Sequence, residues 1–158
     1  MELLRTGDLS TDKVIDFFSV HWGSPEMVIS SGVYDCSKLD GFAYLGDNRE
    51  IIGLITYITK GDACEIISLD SIKEGRGIGS ALIKAVENGA VQNQCKRLTL
   101  ITTNDNLKAL AFYQKRGFSI SGVYKNAVEK ARMRKPEIPL VGNHGIPIRD
   151  EIELEKML

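Results

Sequence analysis

"KEGRGIGSALIKAV", residues 73–86, sets Gly75, Gly77 and Gly79 at alternate positions directly ahead of an apolar, helix-like run. Each glycine loses more backbone entropy on ordering than alanine would, so the pattern implies that something must approach the main chain closely. A strand ending near Ile72, a glycine turn and a helix starting near Gly77 together make an anion site. Backbone N–H groups point outward at the helix start, and the helix dipole adds partial positive charge there. With no Cβ in the way, a diphosphate can lie against the backbone. The loop lacks the G-x-x-x-x-G-K-[ST] spacing of a nucleoside-triphosphate loop. A tight turn with close helix packing is the competing explanation of the same glycines.

Working outward, apolar residues at 78, 81, 82, 85, 86 and 90 form one face of a helix. Upstream, "ACEIISLDSI" (63–72) reads as the strand that feeds the loop, and "GFAYLGDNREIIGLITYIT" (41–59) as a hairpin around the polar turn Gly46–Arg49. Nearer the start, "STDKVIDFFSVHW" predicts a helix with Val14, Phe18 and Trp22 on one face behind a Ser10/Thr11 cap. "MVISSGVYD" (27–35) predicts a single strand. Downstream, "RLTLITT" predicts a strand, "NLKALAFYQKRG" a helix ended by Gly117, and "FSISGVYKN" a strand. Residues 127–150 carry Pro136, Pro139 and Pro147 and cannot form long regular structure. "DEIELEKML" predicts a last, half-exposed strand, with a short helix as its rival. The order β, β, α, β, α, β from residue 50 onward implies an α/β or α+β mixed sheet with strand–helix crossovers.

Composition narrows the function. The 158 residues, 43% hydrophobic and 26% charged, suit one soluble globular domain spanning 1–158. A net charge of −1 argues against a nucleic-acid partner, which would call for a basic excess. No apolar run reaches membrane-spanning length, and the N-terminus lacks a signal-peptide layout, so neither a membrane partner nor export is expected. Cys36, Cys64 and Cys95 are odd in number and widely spaced, which predicts reduced thiols in the cytoplasm rather than disulfides. His21 and His144 stand alone, and no metal site is expected.

Two families share the fragment "GRGIGSAL". In short-chain dehydrogenases such a loop follows the first strand of a doubly wound sheet. Here it falls mid-chain after a hairpin, and Tyr113 is followed by Gln114, Lys115, Arg116 and Gly117 rather than by a Tyr-x-x-x-Lys pair, so that reading fails. The two segments "EIISLDSIKEGRGIGSALI" and "NDNLKALAFYQKRGF", in this order and separated by one strand, resemble the GCN5-related N-acetyltransferase (GNAT) superfamily. The resemblance covers residues 40–126 and, more loosely, the flanks. It implies a GNAT-like acyl-CoA N-acyltransferase fold: a central mixed, mostly antiparallel sheet, flanked by helices, whose fourth and fifth strands splay apart to admit acetyl-CoA.

Carried onto this chain, the resemblance implies that the backbone of Gly75, Arg76, Gly77, Ile78, Gly79 and Ser80 cradles the diphosphate. Ile67 to Leu69 would pair with the pantetheine arm, the N–H near Leu69 would polarise the thioester carbonyl, and Asn106 would bond the pantetheine or the chain around it. Tyr113 occupies the position from which the family often protonates the departing thiolate. The chain departs from the family at the first motif position, where Glu74 replaces an arginine or glutamine. That carboxylate keeps a second reading open, a catalytically weak or inactive acetyl-CoA-binding sensor or interaction module.

Acetyl transfer to an amine needs a neutral nucleophile, a polarised carbonyl and a proton for the thiolate. Tyr113 suits the last task. Glu65, read with the same strand parity as Ile67 and Leu69, could orient the amine or accept its proton through water; a glutamate paired with a cation is the structural alternative. Trp22, Tyr34, Tyr44 and Tyr57 are candidates to line the acceptor site, and Asp150–Glu153 could attract a cation or form a solvated face. The expected partner is a small-molecule or protein amine. Residues 127–150 could cap its site or make a homodimer contact.

Overall fold

The glycine loop hangs from an antiparallel meander. The computed structural model describes residues 2–73 and 75–158. Along the chain run β1 (Glu2–Arg5), α1 (Thr11–Trp22), the short strands β2 (Glu26–Ile29) and β3 (Gly32–Asp35), then β4 (Asp40–Leu45), β5 (Ile51–Lys60) and β6 (Ala63–Ser71). Next come α2 (Ile78–Gln92), β7 (Arg97–Thr103), α3 (Leu107–Gln114), β8 (Ser119–Tyr124), α4 (Ala127–Arg134) and β9 (Glu151–Met157). The fold is mixed α/β with mostly antiparallel strands. No described helix is long and apolar enough to cross a membrane.

The chain divides into two compact units. The first takes in the chain through Met27, Tyr34–Leu98 and Leu158; the second comprises Val28–Val33 and Thr99–Met157. In the first unit the strand order is β1-β4-β5-β6, each neighbouring pair antiparallel. α1 starts where Ser10 caps it, its hydroxyl accepting from the Lys13 N–H, and stops at Gly23 in a left-handed conformation. Val14, Phe17 and Phe18 face inward from it.

α2 packs on the opposite side of this sheet from α1, and Gly53 is the reason it can. A Cβ on Gly53 would lie 2.5 Å from Ile78 Cγ2 and 3.1 Å from Leu82 Cδ1, so the helix rests directly on the β5 backbone. Ile78, Leu82, Ile83, Val86 and Ala90 form its buried face; of the expected stripe, positions 78, 82, 86 and 90 are buried and 81 and 85 half-buried, while Ile83 joins from beside it. Any side chain at Gly53 would push the start of α2, and the loop before it, off the sheet.

The second unit orders its strands β7-β9-β8, with β8 and β9 antiparallel. Two sequence expectations are corrected and one is borne out. Residues 27–35 are not one strand but the arms of a two-stranded ribbon, β2 and β3, turning through Ser30 and Ser31. Residues 127–150 form no long regular structure, as their prolines imply: a two-turn helix, α4, ends before Pro136, where proline forbids continuation. The final strand forms, but Glu151 is 2% exposed and Leu154 fully buried, so its first acidic residue is not on a solvated face. β1, four residues long, has no counterpart in the sequence reading.

Candidate active site

The turn before α2 is built by backbone conformation. Gly75 and Gly77 both adopt left-handed φ, +77° and +72°, a region that costs a side-chain-bearing residue about 1 kcal/mol or more. Among the described residues, the chain neighbours apart, nothing lies within 4 Å of a Cβ built on either, so crowding by those residues does not account for these glycines. Gly77 is the N-cap of α2 and supplies no side-chain cap; the first helical bond runs from the Ala81 N–H to the Gly77 carbonyl, 2.9 Å. The first N–H groups of such a helix have no intrahelical acceptor, which suits this end to a diphosphate. Gly75, Arg76 and Gly77 are exposed, Gly79 and Ser80 half-buried, and Ile78 anchors the start in the core. Glu74 lies outside the described residues.

β6, which leads into this loop, is not regular. Thr56 stands opposite Ser68 while the next residue of β5, Tyr57, stands opposite Ile66, so Ile67 is an extra residue, a β-bulge. The bulge corrects the parity expected of Glu65. Glu65 opposes Ile58 and Ser68 opposes Thr56, so Glu65 shares a face with Ser68 and Asp70 instead of with Leu69. That face looks toward α1, away from α2. Ile67 is buried and Leu69 half-buried.

The α1-side face carries a row of buried polar groups. Glu65, 6% exposed, pairs with the Lys60 ammonium at 3.4 Å, and Lys60 also donates to the Tyr34 hydroxyl at 2.6 Å. The Tyr34 contact, with the Glu65 carboxylate, holds the Lys60 pKa above its ordinary value. Thr56 Oγ1 and Ser68 Oγ lie 2.6 Å apart in the interior, and both hydroxyls bond the buried Cys36 thiol. At the end of the row the indole Nε1–H of Trp22 donates to Asp70 Oδ1 at 3.0 Å. Burial raises the Asp70 pKa, and the Trp22 bond and the nearby His21 hold that rise back.

Among the tyrosines proposed as lining, Tyr34 is thus committed to Lys60. Tyr57 stacks on Phe42 at 6.2 Å and 22° on the α2-side face, beneath the Arg5 guanidinium. Tyr44 is half-buried.

In the second unit, Asn106 is the N-cap of α3: its Oδ1 accepts from the Ala109 N–H at 3.2 Å and its Nδ2 donates to Thr102 Oγ1 at 3.3 Å. Tyr113, 8% exposed, sits in the last turn of α3 between the rings of Phe112 and Phe118, edge-on at 5.3 and 5.4 Å. Both residues are held by one short helix. The two residues before Asn106 do work that sequence reasoning missed. Asn104 Oδ1 accepts from the N–H groups of Arg149 and Asp150, and its Nδ2 donates to the Pro147 carbonyl. Asp105, 3% exposed, accepts from Thr103 Oγ1 at 2.6 Å and from the Asn143 N–H at 3.0 Å. Together they strap residues 143–150 to the start of α3.

Arg132 completes the strap from α4, donating to the carbonyls of Ile138, Pro139 and Ile148. A cavity of about 270 Å³ lies between β2 and α4, lined by Val28, Ile29, Ser30, Ala127, Lys130 and Ala131. Ser30 holds the buried Glu151 through its N–H and hydroxyl.

Residues 11–118 match the model of the Acetyltransferase (GNAT) family, and the chain belongs to that family. It is an N-acetyltransferase that uses acetyl-CoA. Its sequence is 54% identical to "Uncharacterized protein YxbD" of Bacillus subtilis (strain 168), over 100% of this chain and 99% of that protein. Among solved structures it resembles a GNAT family acetyltransferase from Elizabethkingia anophelis with acetyl-CoA bound, at 28% identity and a TM-score of 0.62, covering 76% of this chain and 75% of the other. It shares its fold with the IAA acetyltransferase from Bacillus cereus ATCC 14579, at 19% identity and a TM-score of 0.70, covering 99% and 100%.

Proposed function

We propose that the protein transfers the acetyl group of acetyl-CoA directly to a primary amine of a small molecule or protein, in a ternary complex. The observation that carries this reading is the open, uncapped start of α2 behind two left-handed glycines. In this reading the backbone from Gly75 to Ser80, with Arg76 beside it, takes the diphosphate. Ile67 and Leu69 present β6 to the pantetheine arm, and the N–H near Leu69 polarises the thioester carbonyl. Asn106 steadies the pantetheine or the chain around it, Tyr113 returns a proton to the thiolate, and Glu65, fixed by Lys60, orients the incoming amine.

We infer that both units serve one catalytic domain, a reading supported by a family match that spans residues of both. A cytoplasmic site of action is supported by three free cysteines, all buried. The test is calorimetric titration with acetyl-CoA and with its dephospho and desulfo analogues, followed by thiol release over an amine panel. Micromolar binding that weakens when the phosphates are trimmed, with release on adding an amine, supports the reading. No heat at millimolar acetyl-CoA overturns it.

A further inference from the structure

We propose that Asp70 is the counter-charge that receives the ammonium group of the acceptor. Among the described residues, Asp70 Oδ2 is the buried side-chain oxygen that has no hydrogen-bond partner. A buried carboxylate oxygen left in that state costs folding free energy, so a donor other than the protein's own side chains completes it, and an N–H of the acceptor is the donor proposed. Of its neighbours on the same face, Ser68 is matched with Thr56, and Glu65, four β5 positions away and held by Lys60, is placed to orient the acceptor farther from its reacting nitrogen. The other Asp70 oxygen is pinned by the Trp22 indole, which fixes the direction in which Oδ2 is offered.

The placement fits the reaction. Asp70 opposes Leu54 across β5 and β6, whereas Gly53, the neighbouring position, meets Ile78 and Leu82 of α2. The carboxylate and the diphosphate loop therefore lie on opposite faces of one sheet, so the negative charge does not face the cofactor's phosphates. Asp70 directly follows Leu69, whose N–H is the proposed thioester contact. An ammonium held by Oδ2 on the α1-side face gives up a proton to that carboxylate, and the neutral amine then attacks the thioester carbon from the side opposite α2, the C–S bond breaking as Tyr113 protonates the leaving thiolate. The ligand class this specifies is a primary amine that is cationic in solution. An alcohol of the same shape can donate a hydrogen bond to the carboxylate but brings no positive charge to neutralise it.

The inference rests on the acetyl-CoA reading of the α2 loop, and the experiment separates the two. Trp22 is the single tryptophan of the chain and bonds Asp70 directly, so its emission reports on this carboxylate. The full chain is first titrated calorimetrically with CoA; failure there refutes the cofactor reading. The CoA-saturated protein is then titrated with spermidine, kanamycin and alaninamide, and with 1,8-octanediol as the uncharged counterpart of spermidine, following Trp22 emission. At least one amine should shift the emission saturably, and the diol should not. In D70N the amine affinity should fall about tenfold or more, with CoA affinity unchanged. Silence from all three amines at CoA saturation, a diol response equal to that of spermidine, or wild-type amine affinity in D70N overturns the proposal. Should D70N fail to fold, the amine–diol comparison on the unmodified protein decides it.

Discussion

Glu65 and Ser68 present their side chains on one face of the first unit's sheet, although Ile66 and Ile67 stand between them. The bulge at Ile67 delivers Glu65 to Lys60, whose ammonium pairs with a carboxylate only 6% exposed. Replacing Lys60 by methionine should cost about 2 kcal/mol of stability, below the figure for a fully buried pair because water still reaches the ammonium. The double variant K60M/E65Q should recover most of that loss. Urea unfolding of the two variants beside wild type measures both quantities; equal stability of K60M and wild type would show that the pair does not hold Glu65.

Gly77→Val places a β-branched residue at φ +72° with open space around it. The strain should cost about 1–2 kcal/mol. Acetyl-CoA affinity should fall far more, because the new side chain occupies the space where phosphate would sit. Calorimetry on the folded variant distinguishes the two effects: lowered stability with intact affinity would assign the glycine to the turn alone.

Asn106 has two roles that one substitution separates. Asn106→Asp keeps the Oδ1 acceptor that caps α3 and removes the Nδ2 donor, while Asn106→Ala removes both. Thermal unfolding should show the alanine variant about 1 kcal/mol less stable and the aspartate variant close to wild type. If Nδ2 also serves the cofactor, acetyl-CoA affinity falls in both.

Tyr113→Phe keeps the ring packed between Phe112 and Phe118 and deletes only the hydroxyl. Turnover should drop about a hundredfold, the scale of a lost general acid, with acetyl-CoA affinity unchanged. Unchanged turnover would remove Tyr113 from the chemistry and leave it a packing residue.

Asp70→Asn should raise thermal stability at neutral pH. Burial raises the Asp70 pKa, so the folded state binds a proton more readily than the unfolded chain does. The charged form thus penalises folding above the folded-state pKa, and the penalty fades as pH falls toward the ordinary carboxylate range. A gain of a few degrees at pH 7, about the effect of 1 kcal/mol on a chain this size, should shrink on acidification. A pH-independent difference would contradict the assignment of the penalty to this carboxylate.

The parts of the site that depend on local sequence were legible. The α2 stripe and the glycine turn are written in consecutive residues, and the backbone alone makes the loop. The bulge at Ile67 was not, because "EIISL" carries no alternation from which a slipped residue could be noticed. The division of residues 26–35 into two strands hides behind Ser30 and Ser31, which lack the glycine or asparagine of a marked hairpin turn. The strap partners of Asn104 and Asp105, in residues 143–150, lie 38 to 46 residues away, a separation at which no spacing rule operates. "NDN" advertised its helix cap and concealed its strap. Asp70 reads as an ordinary strand-end carboxylate until the Trp22 bond, 48 positions away in sequence, shows which oxygen is spoken for.

The fate of the three cysteines bears on endurance. Every cycle of acetyl transfer releases CoA, a small thiol, into the immediate surroundings of the protein. Mixed disulfides form through thiolates that oxidants can reach. Burial pushes the Cys36 thiol up to about 11 and the Cys64 thiol up to about 12, and Cys95 is buried as well. Neither Cys36 nor Cys64 offers an appreciable thiolate at neutral pH. A mixed disulfide with CoA would need CoA first oxidised to its disulfide and a protein thiolate to attack it; burial withholds that thiolate, so the interior sulfur behaves as packing material rather than as a redox handle.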